Sequence, residues 1–364
     1  MSTVESSLSP LSQAARKVFS SAWLHPLNDS TALDDLLTGI DPLWSLGEVR
    51  ARVAQVILET PDTRTFVLEP NRHWRGHQAG QYVAVEVEID GVRHHRSYSV
   101  SAAPGGKRIA ITVKRQPGGK VSNWLHDRVR QGDTLRLTAA AGGFVLPQPL
   151  PAKILMLSAG SGITPLMSML RTLRAQDYQG EILFVHSCRS RAQVIFGSEL
   201  QELAAAWPIL KLVTHYTETE GRLDTAGLLR LVPQPQDWQA LLCGPEGFMS
   251  TVRGLWQERG LAGQLSQESF TGAFAPVETG TAAEVRCVRS EKIFTAAGGA
   301  LLAEAESAGL KPKHGCRMGI CRSCQCRKVS GTVENLLTGE VSSAPNQTIQ
   351  LCISAARSDL ALEI

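Results

Sequence analysis

AKILMLSAGSGITPLMSMLRTLRAQ, residues 152–176, puts a short apolar run, a glycine-rich turn and a helical pattern in immediate succession. The run is too short for a buried helix and is stopped by glycine, which reads as a strand covered on both faces. The same texture returns as EILFVHSCRS (181–190) followed by AQVIFGSELQELAAA (192–206), and again as WQALLCGPEGFMSTVRGLWQERG (238–260). Strands alternating with helices pair in parallel, so residues 150–270 are expected to form a doubly wound α/β domain.

Upstream the pattern changes. RARVAQVILETPDTRTFVLEP (50–70), QYVAVEVEIDGVRHHRSYSV (81–100) and RIAITVKRQ (108–116) alternate over short spans between Gly, Pro and Asp turns. That is the signature of an antiparallel barrel, expected over 47–149. Residues 1–46 carry Val18, Trp23, Leu27, Leu33, Leu36 and Leu37 at helical spacing, a helical extension with membrane-surface or partner docking as the alternative. Residues 271–283, rich in Gly, Thr, Ala and Pro, read as a linker, and 284–364 as a small separate module.

With 364 residues the chain exceeds one ordinary core, and a net charge of +3 gives no case for nucleic acid. No apolar run is long enough for a membrane span, and the Ser/Ala-rich N-terminus lacks a secretory h-region. A cytoplasmic, reducing location is expected, where eight cysteines are ligands or packing groups rather than disulfides.

HGCRMGICRSCQCR (314–327) concentrates four of them. Cys316, Cys321 and Cys324 give C-x4-C-x2-C, and Cys352 follows after 27 intervening residues. This is the plant-type 2Fe-2S arrangement, three thiolates on one loop and a fourth further on. Zinc, the alternative, more naturally takes two short pairs. Gly315 and Gly319 suit a loop whose amides must approach sulfides. Cys326 breaks the spacing and is expected to be a packing thiol.

RSYS, Arg96 to Ser99, offers a cation for phosphate, an aromatic face for a flat ring and hydroxyls for its nitrogens. R-x-Y-S in a barrel, followed by GSGITP and CGPEGFM in an α/β domain, resembles the ferredoxin–NADP reductase superfamily. With the cysteine module added, the chain is similar to the fused flavin reductase/ferredoxin proteins: the phthalate dioxygenase reductase, phenylacetyl-CoA epoxidase reductase and hybrid-cluster protein reductase types. The extension HPLNDSTALDDLLTGIDPLWSL most resembles electron-transfer partners of bacterial fatty-acyl desaturases.

The resemblance implies an FAD barrel, an NAD(P) domain and a β-grasp ferredoxin domain. It places Arg96 on the FAD diphosphate, Ser97 and Tyr98 along the flavin, and Ser99 at flavin N5. Val113, Lys114 and Arg115 are implied to line the adenosine side. Gly119, Lys120, Val121 and Ser122 are implied to present amides and a hydroxyl to the diphosphate, Ser122 also serving as helix N-cap. Gly160, Gly162, Thr164, Cys243, Gly244 and Pro245 are implied at the nicotinamide, and Phe270 over the flavin face opposite Tyr98. Ser99, Thr164, Cys243 and Phe270 thus become the candidate catalytic set, and Cys316, Cys321, Cys324 and Cys352 the cluster ligands. Arg189 and Arg191, with no acidic residue in HSCRSR, favour NADPH, NADH being the alternative.

The expected activity is hydride transfer from NADPH to FAD, then single electrons through 2Fe-2S to an acceptor protein. The expected acceptor is a di-iron fatty-acyl desaturase, with an aromatic or epoxidising oxygenase or a hybrid-cluster protein as alternatives. A monomer is expected, with peripheral contact to a membrane-bound acceptor compatible with the extension. A redox-sensing or metal-binding interaction protein is the reading outside enzymes.

Overall fold

A computed structural model describes residues 30–270, 282–314, 319, 324–336 and 339–364. The extension contributes a helix, Ser30–Ile40, before the first strand. Val18, Trp23 and Leu27 lie outside the described residues.

The barrel is made of β1 (Val49–Thr60), β2 (Thr63–Pro70), β3 (Tyr82–Ile89), β4 (Val92–Ser99), β5 (Ile109–Lys114) and β6 (Thr134–Leu137). Their order is β4-β3-β6-β1-β2-β5, with antiparallel pairing throughout, and a bridge from Val100 to Ile111 closes the ring. Alternation produces this core directly: Val83 and Val85 from β3 meet Phe66, Leu68, Ile109, Ile111 and Val113 inside, all essentially unexposed. Each such side chain contributes roughly 1.5–3 kcal/mol on burial. A helix, Lys120–Arg128, plugs one end with Val121 and Leu125.

The second domain alternates β7 (Lys153–Ala159), β8 (Glu181–Cys188), β9 (Leu210–Tyr216), β10 (Gln239–Gly244) and β11 (Leu265–Ser269) with helices. All pairs are parallel, in the order β11-β10-β7-β8-β9. Ile154, Met156 and Leu241 pack on one face against the helix Ile163–Ala175, while Leu155, Leu157 and Leu242 pack on the other against the helix Glu246–Glu258. The chain winds outward from β7 to β9 and returns to β10 on the far side of β7. The switch point therefore falls between β7 and β10, where the carboxyl ends of the strands leave a crevice.

The last domain holds β12 (Ala283–Cys287), β13 (Ile293–Ala296), β14 (Gln325–Ser330), β15 (Val333–Asn335), β16 (Val341–Ser342), β17 (Gln347–Gln350), β18 (Ser354–Ala356) and β19 (Leu360–Leu362). A mixed sheet, β13-β12-β19-β14-β17, grips the helix Leu301–Ser307 through Leu301, Leu302 and Ala305, and β16-β15-β18 forms a small second sheet. Among the described residues, no helix is long and apolar enough to cross a membrane.

Candidate functional site

The last turn of β4 delivers the RSYS residues to the barrel surface. Tyr98 packs on the barrel core, and burial raises its phenol above the ordinary range. The hydroxyls of Ser97 and Ser99 are buried and make no hydrogen bond. Arg96 is exposed, and its Nη1 donates to the His95 carbonyl at 2.7 Å. Burial, then the charges of Lys120 and Arg96, lower the basicity of His94. Strand β4 and the start of the Lys120–Arg128 helix thus concentrate positive charge beside an aromatic and two unpartnered hydroxyls. That donor set fits a flavin: hydroxyls for ring heteroatoms, cations for a diphosphate.

Two residues differ from the sequence reading, Ser122 and Val113. Ser122 is not the N-cap: the helix is capped by Gly119, and the Ser122 hydroxyl accepts the Gln116 amide from inside the first turn. Val121 is 1% exposed, its side chain turned into the barrel. Val113 is likewise fully buried with its carbonyl held by His126 Nε2 at 2.8 Å, so Lys114 and Arg115 alone of that trio reach open space. They do so in ion pairs, Lys114 with Asp62 at 3.4 Å and Arg115 with Asp127 at 2.6 Å.

Lys114 and Arg115 border a cleft of about 860 Å³ between the barrel and the carboxyl edge of the parallel sheet. Gly160, Arg189, Arg222 and Pro245 line its other side. Gly160 has φ 53°, in the left-handed region that favours glycine. Gly162 is required for another reason: a Cβ there would sit 2.2 Å from the Cys243 carbonyl oxygen. The turn is pressed onto the end of β10, and this contact by itself requires glycine. Thr164 is 3% exposed and donates its hydroxyl to the Ser161 carbonyl, bracing the turn rather than facing the cleft. Gly244 is equally confined, since a Cβ would come within 3.0 Å of Phe248 Cδ1.

Cys243 is wholly buried, and burial drives its thiol well above the ordinary value. Its register partners are Ser158 on β7 and Glu268 on β11. Ser158 Oγ lies 2.8 Å from His186 Nδ1, and burial pulls that imidazole down to about 4. Glu268, which the sequence reading missed, has one carboxyl oxygen buried with no partner, and burial raises its carboxyl to about 8. Phe270, two residues on, is 36% exposed beyond the end of β11.

Arg189 lines the cleft, but Arg191 belongs to a separate groove of about 830 Å³ with Glu59 and Glu199. On the sheet side of the cleft Arg189 is joined by Arg222, on the turn before the Asp224 cap of the helix Thr225–Leu231. The absence of an acidic neighbour is also corrected: Glu218 reaches within 3.6 Å of Arg189. Both side chains are largely exposed, and such a pair is worth under about 1 kcal/mol.

In the last domain, Cys316, Cys321 and Gly315 lie outside the described residues. Cys324, at the start of β14, and Cys352, in a one-turn helix after β17, are buried with their sulfurs 3.2 Å apart. The Gly319 amide, at φ 79°, points to Cys352 Sγ at 3.2 Å, and Gln350 Nε2 holds the Gly319 carbonyl at 2.7 Å. Two converging reduced sulfurs with an amide aimed at one fit a thiolate-bound cluster. Cys326 is turned into the core from β14, and burial pushes its thiol up to about 12.

Comparison with known proteins matches each of the three domains to a family. Residues 50–146 match the oxidoreductase FAD-binding domain family, 156–254 the oxidoreductase NAD-binding domain family, and 286–357 the 2Fe-2S iron-sulfur cluster binding domain family. An NADPH oxidoreductase of Mycobacterium tuberculosis is 39% identical over 338 residues, covering 91% of this chain and 88% of that protein. A glycine betaine monooxygenase reductase subunit of Pseudomonas aeruginosa is 31% identical, covering 88% and 96%. Among solved structures, phthalate dioxygenase reductase superposes with a TM-score of 0.59 at 24% identity over 87% of this chain and 98% of its own, a likeness of fold.

Proposed function

This chain belongs to the ferredoxin–NADP reductase superfamily, in the form with a C-terminal 2Fe-2S domain, and on that premise we propose a role for each residue of the site. The protein is an NAD(P)H-dependent electron-transfer reductase that takes FAD and a 2Fe-2S cluster. Bound flavin supplies the conversion between a hydride pair and the single electrons that such a cluster accepts.

The observation that carries the assignment is the buried, unpartnered Ser99 hydroxyl at the end of β4. A buried hydroxyl without a partner is costly, and a flavin N5 satisfies it. Arg96 and Lys120 hold the diphosphate, with Gly119 shaping the turn. Ser97 and Tyr98 lie along the flavin, and Phe270 covers its other face. Lys114 and Arg115 border the nucleotide cleft, where Gly160 and Pro245 bound the nicotinamide end and Cys243 with Glu268 form the floor behind it. Cys316, Cys321, Cys324 and Cys352 hold the cluster.

NADPH is the donor on this reading, through Arg189 and Arg222. Its 2′-phosphate outcompetes the exposed Glu218 for Arg189 because a charge-assisted bond to phosphate is stronger than a surface ion pair. The acceptor is an oxygen-activating iron protein. The names of the monooxygenase reductase relatives support an oxygenase component. A membrane-associated fatty-acyl desaturase is the second reading, favoured by the exposed Leu36, Ile40 and Trp44 of the extension.

Visible spectroscopy with anaerobic titration tests this. Purified protein should carry flavin and cluster absorption and bleach on adding NADPH, with NADPH preferred over NADH in ferricyanide reduction. Colourless protein overturns the site, and a preference for NADH overturns the arginine assignment.

A further inference from the structure

The helix Ile163–Ala175 starts at the Gly160–Gly162 turn, on the nucleotide side, and its face one to two turns on touches the barrel. Ser168, wholly buried, donates its hydroxyl to the Ala102 carbonyl at 2.6 Å, which His77 Nε2 also reaches at 3.0 Å. Arg171, on the same face three residues later, donates Nη1 to the Ser101 carbonyl. Ser101 and Ala102 follow Ser99 in sequence, on the segment that leaves β4.

Arg171 is itself fixed by two further partners. Its Nε and Nη2 hold the Glu199 carboxylate, with Nε at 2.7 Å, and its guanidinium lies 4.9 Å from the Phe196 ring centre. Phe196, in the left-handed region at φ 59°, gives its amide to the Glu59 carboxylate of β1 at 3.3 Å, and Glu59 accepts the Thr65 hydroxyl at 2.7 Å. The contacts form a closed circuit: β1, Phe196, Arg171, the end of β4, and back through the barrel. A forked guanidinium satisfied at every nitrogen has little freedom to move.

We propose that Ser168 and Arg171 are positioning residues for hydride transfer, locking the carbonyls just beyond Ser99 to the helix that begins at the nucleotide-binding turn. The proposal rests on the placement of flavin at Ser99. A single rigid helix then sets the separation of the two reacting rings. Its span from Ile163 to Arg171 is about 12 Å at 1.5 Å per residue. Neither residue needs to touch a cofactor. Misplacement by about 1 Å costs on the order of 100-fold in rate.

The test uses flavin-loaded full-length protein with Arg171→Lys, which keeps the charge but loses the fork, and Ser168→Ala, which removes one hydroxyl. In each, flavin content and NADPH affinity should stay within about twofold of wild type. The single-turnover rate of flavin bleaching at saturating NADPH should fall by about tenfold or more. The long-wavelength nicotinamide–flavin charge-transfer absorbance should weaken in parallel, and amide hydrogen exchange over 99–103 should quicken. A merely structural role would lower the folded, flavin-loaded fraction and leave rate and charge-transfer intensity per flavin unchanged, and that result in Ser168→Ala overturns the lock. Wild-type protein without flavin would instead remove the Ser99 placement, and the lock with it.

Discussion

Replacing Glu268 with Gln should change how the stability of the nucleotide domain depends on pH. Strand β11 places this carboxyl beside Cys243 with one oxygen buried and unpartnered, and burial raises it from 4.5 to about 8. Because the folded value lies above the unfolded one, the folded protein keeps a proton that the unfolded chain releases between those limits. Its contribution to stability is complete below about 4.5, declines as pH rises, and is lost by about 8. The gap between those values corresponds to at most about 5 kcal/mol, and relaxation around a partly buried carboxylate leaves about half of it to be measured. Gln fills the same volume and does not titrate. Urea unfolding of wild type and Glu268→Gln at pH 5 and pH 8.5, followed by amide protection of β10 and β11, reads the difference. The variant should gain about 2–3 kcal/mol relative to wild type on going from the lower pH to the higher. An equal gap between the proteins at both pH values would refute the claim that burial holds Glu268 protonated.

Cys352→Ser should lose iron and cluster absorption, whereas Cys326→Ser should retain both by iron assay, since Cys326 faces the core of its domain. Arg189→Ala and Arg222→Ala should each raise KM for NADPH by about 10–100-fold, the worth of a charged hydrogen bond, with little effect on NADH; equal effects on both nucleotides would move these residues off the 2′-phosphate. Gly162→Ala should lower the melting temperature of the nucleotide domain by several degrees, because the added carbon meets the Cys243 backbone, 2.2 Å from its oxygen and 2.4 Å from its carbon. Gly160→Ala, with nothing within 4 Å of its added carbon, should cost about 1 kcal/mol for its left-handed φ alone, as calorimetry would show.

Much of the fold was legible because its central strands are covered on both faces. β7, β8 and β10 read as unbroken apolar runs because helices pack above and below them. β9 and β11 stand at the two edges of the sheet, half-exposed along most of their length, and LKLVTHY and LSQES carry no such run. The barrel alternation was legible for the same reason, one face always meeting a core. Ser122 was misread because a serine two residues inside a helix has the same local sequence as one at its start; only the Gln116 amide shows where the hydroxyl goes.

The gaps in the site follow from the gaps in the fold. Glu218 and Arg222 ride on the chain leaving β9, and Glu268 sits on β11, so all three were invisible once those strands were. The cysteines needed no fold to be found, because three cluster on one loop in a spacing that chemistry restricts. The contacts of Ser168 and Arg171 leave no trace in any pattern, since their partners at 101 and 102 are carbonyls that every residue possesses. Side chains that meet a cofactor declare themselves through their chemistry, while those that fix the distance between cofactors act on backbone. For a reductase whose hydride donor and flavin sit on two different domains, and whose rate depends on that distance, the geometry at the end of β4 is thus as much a part of the site as RSYS itself.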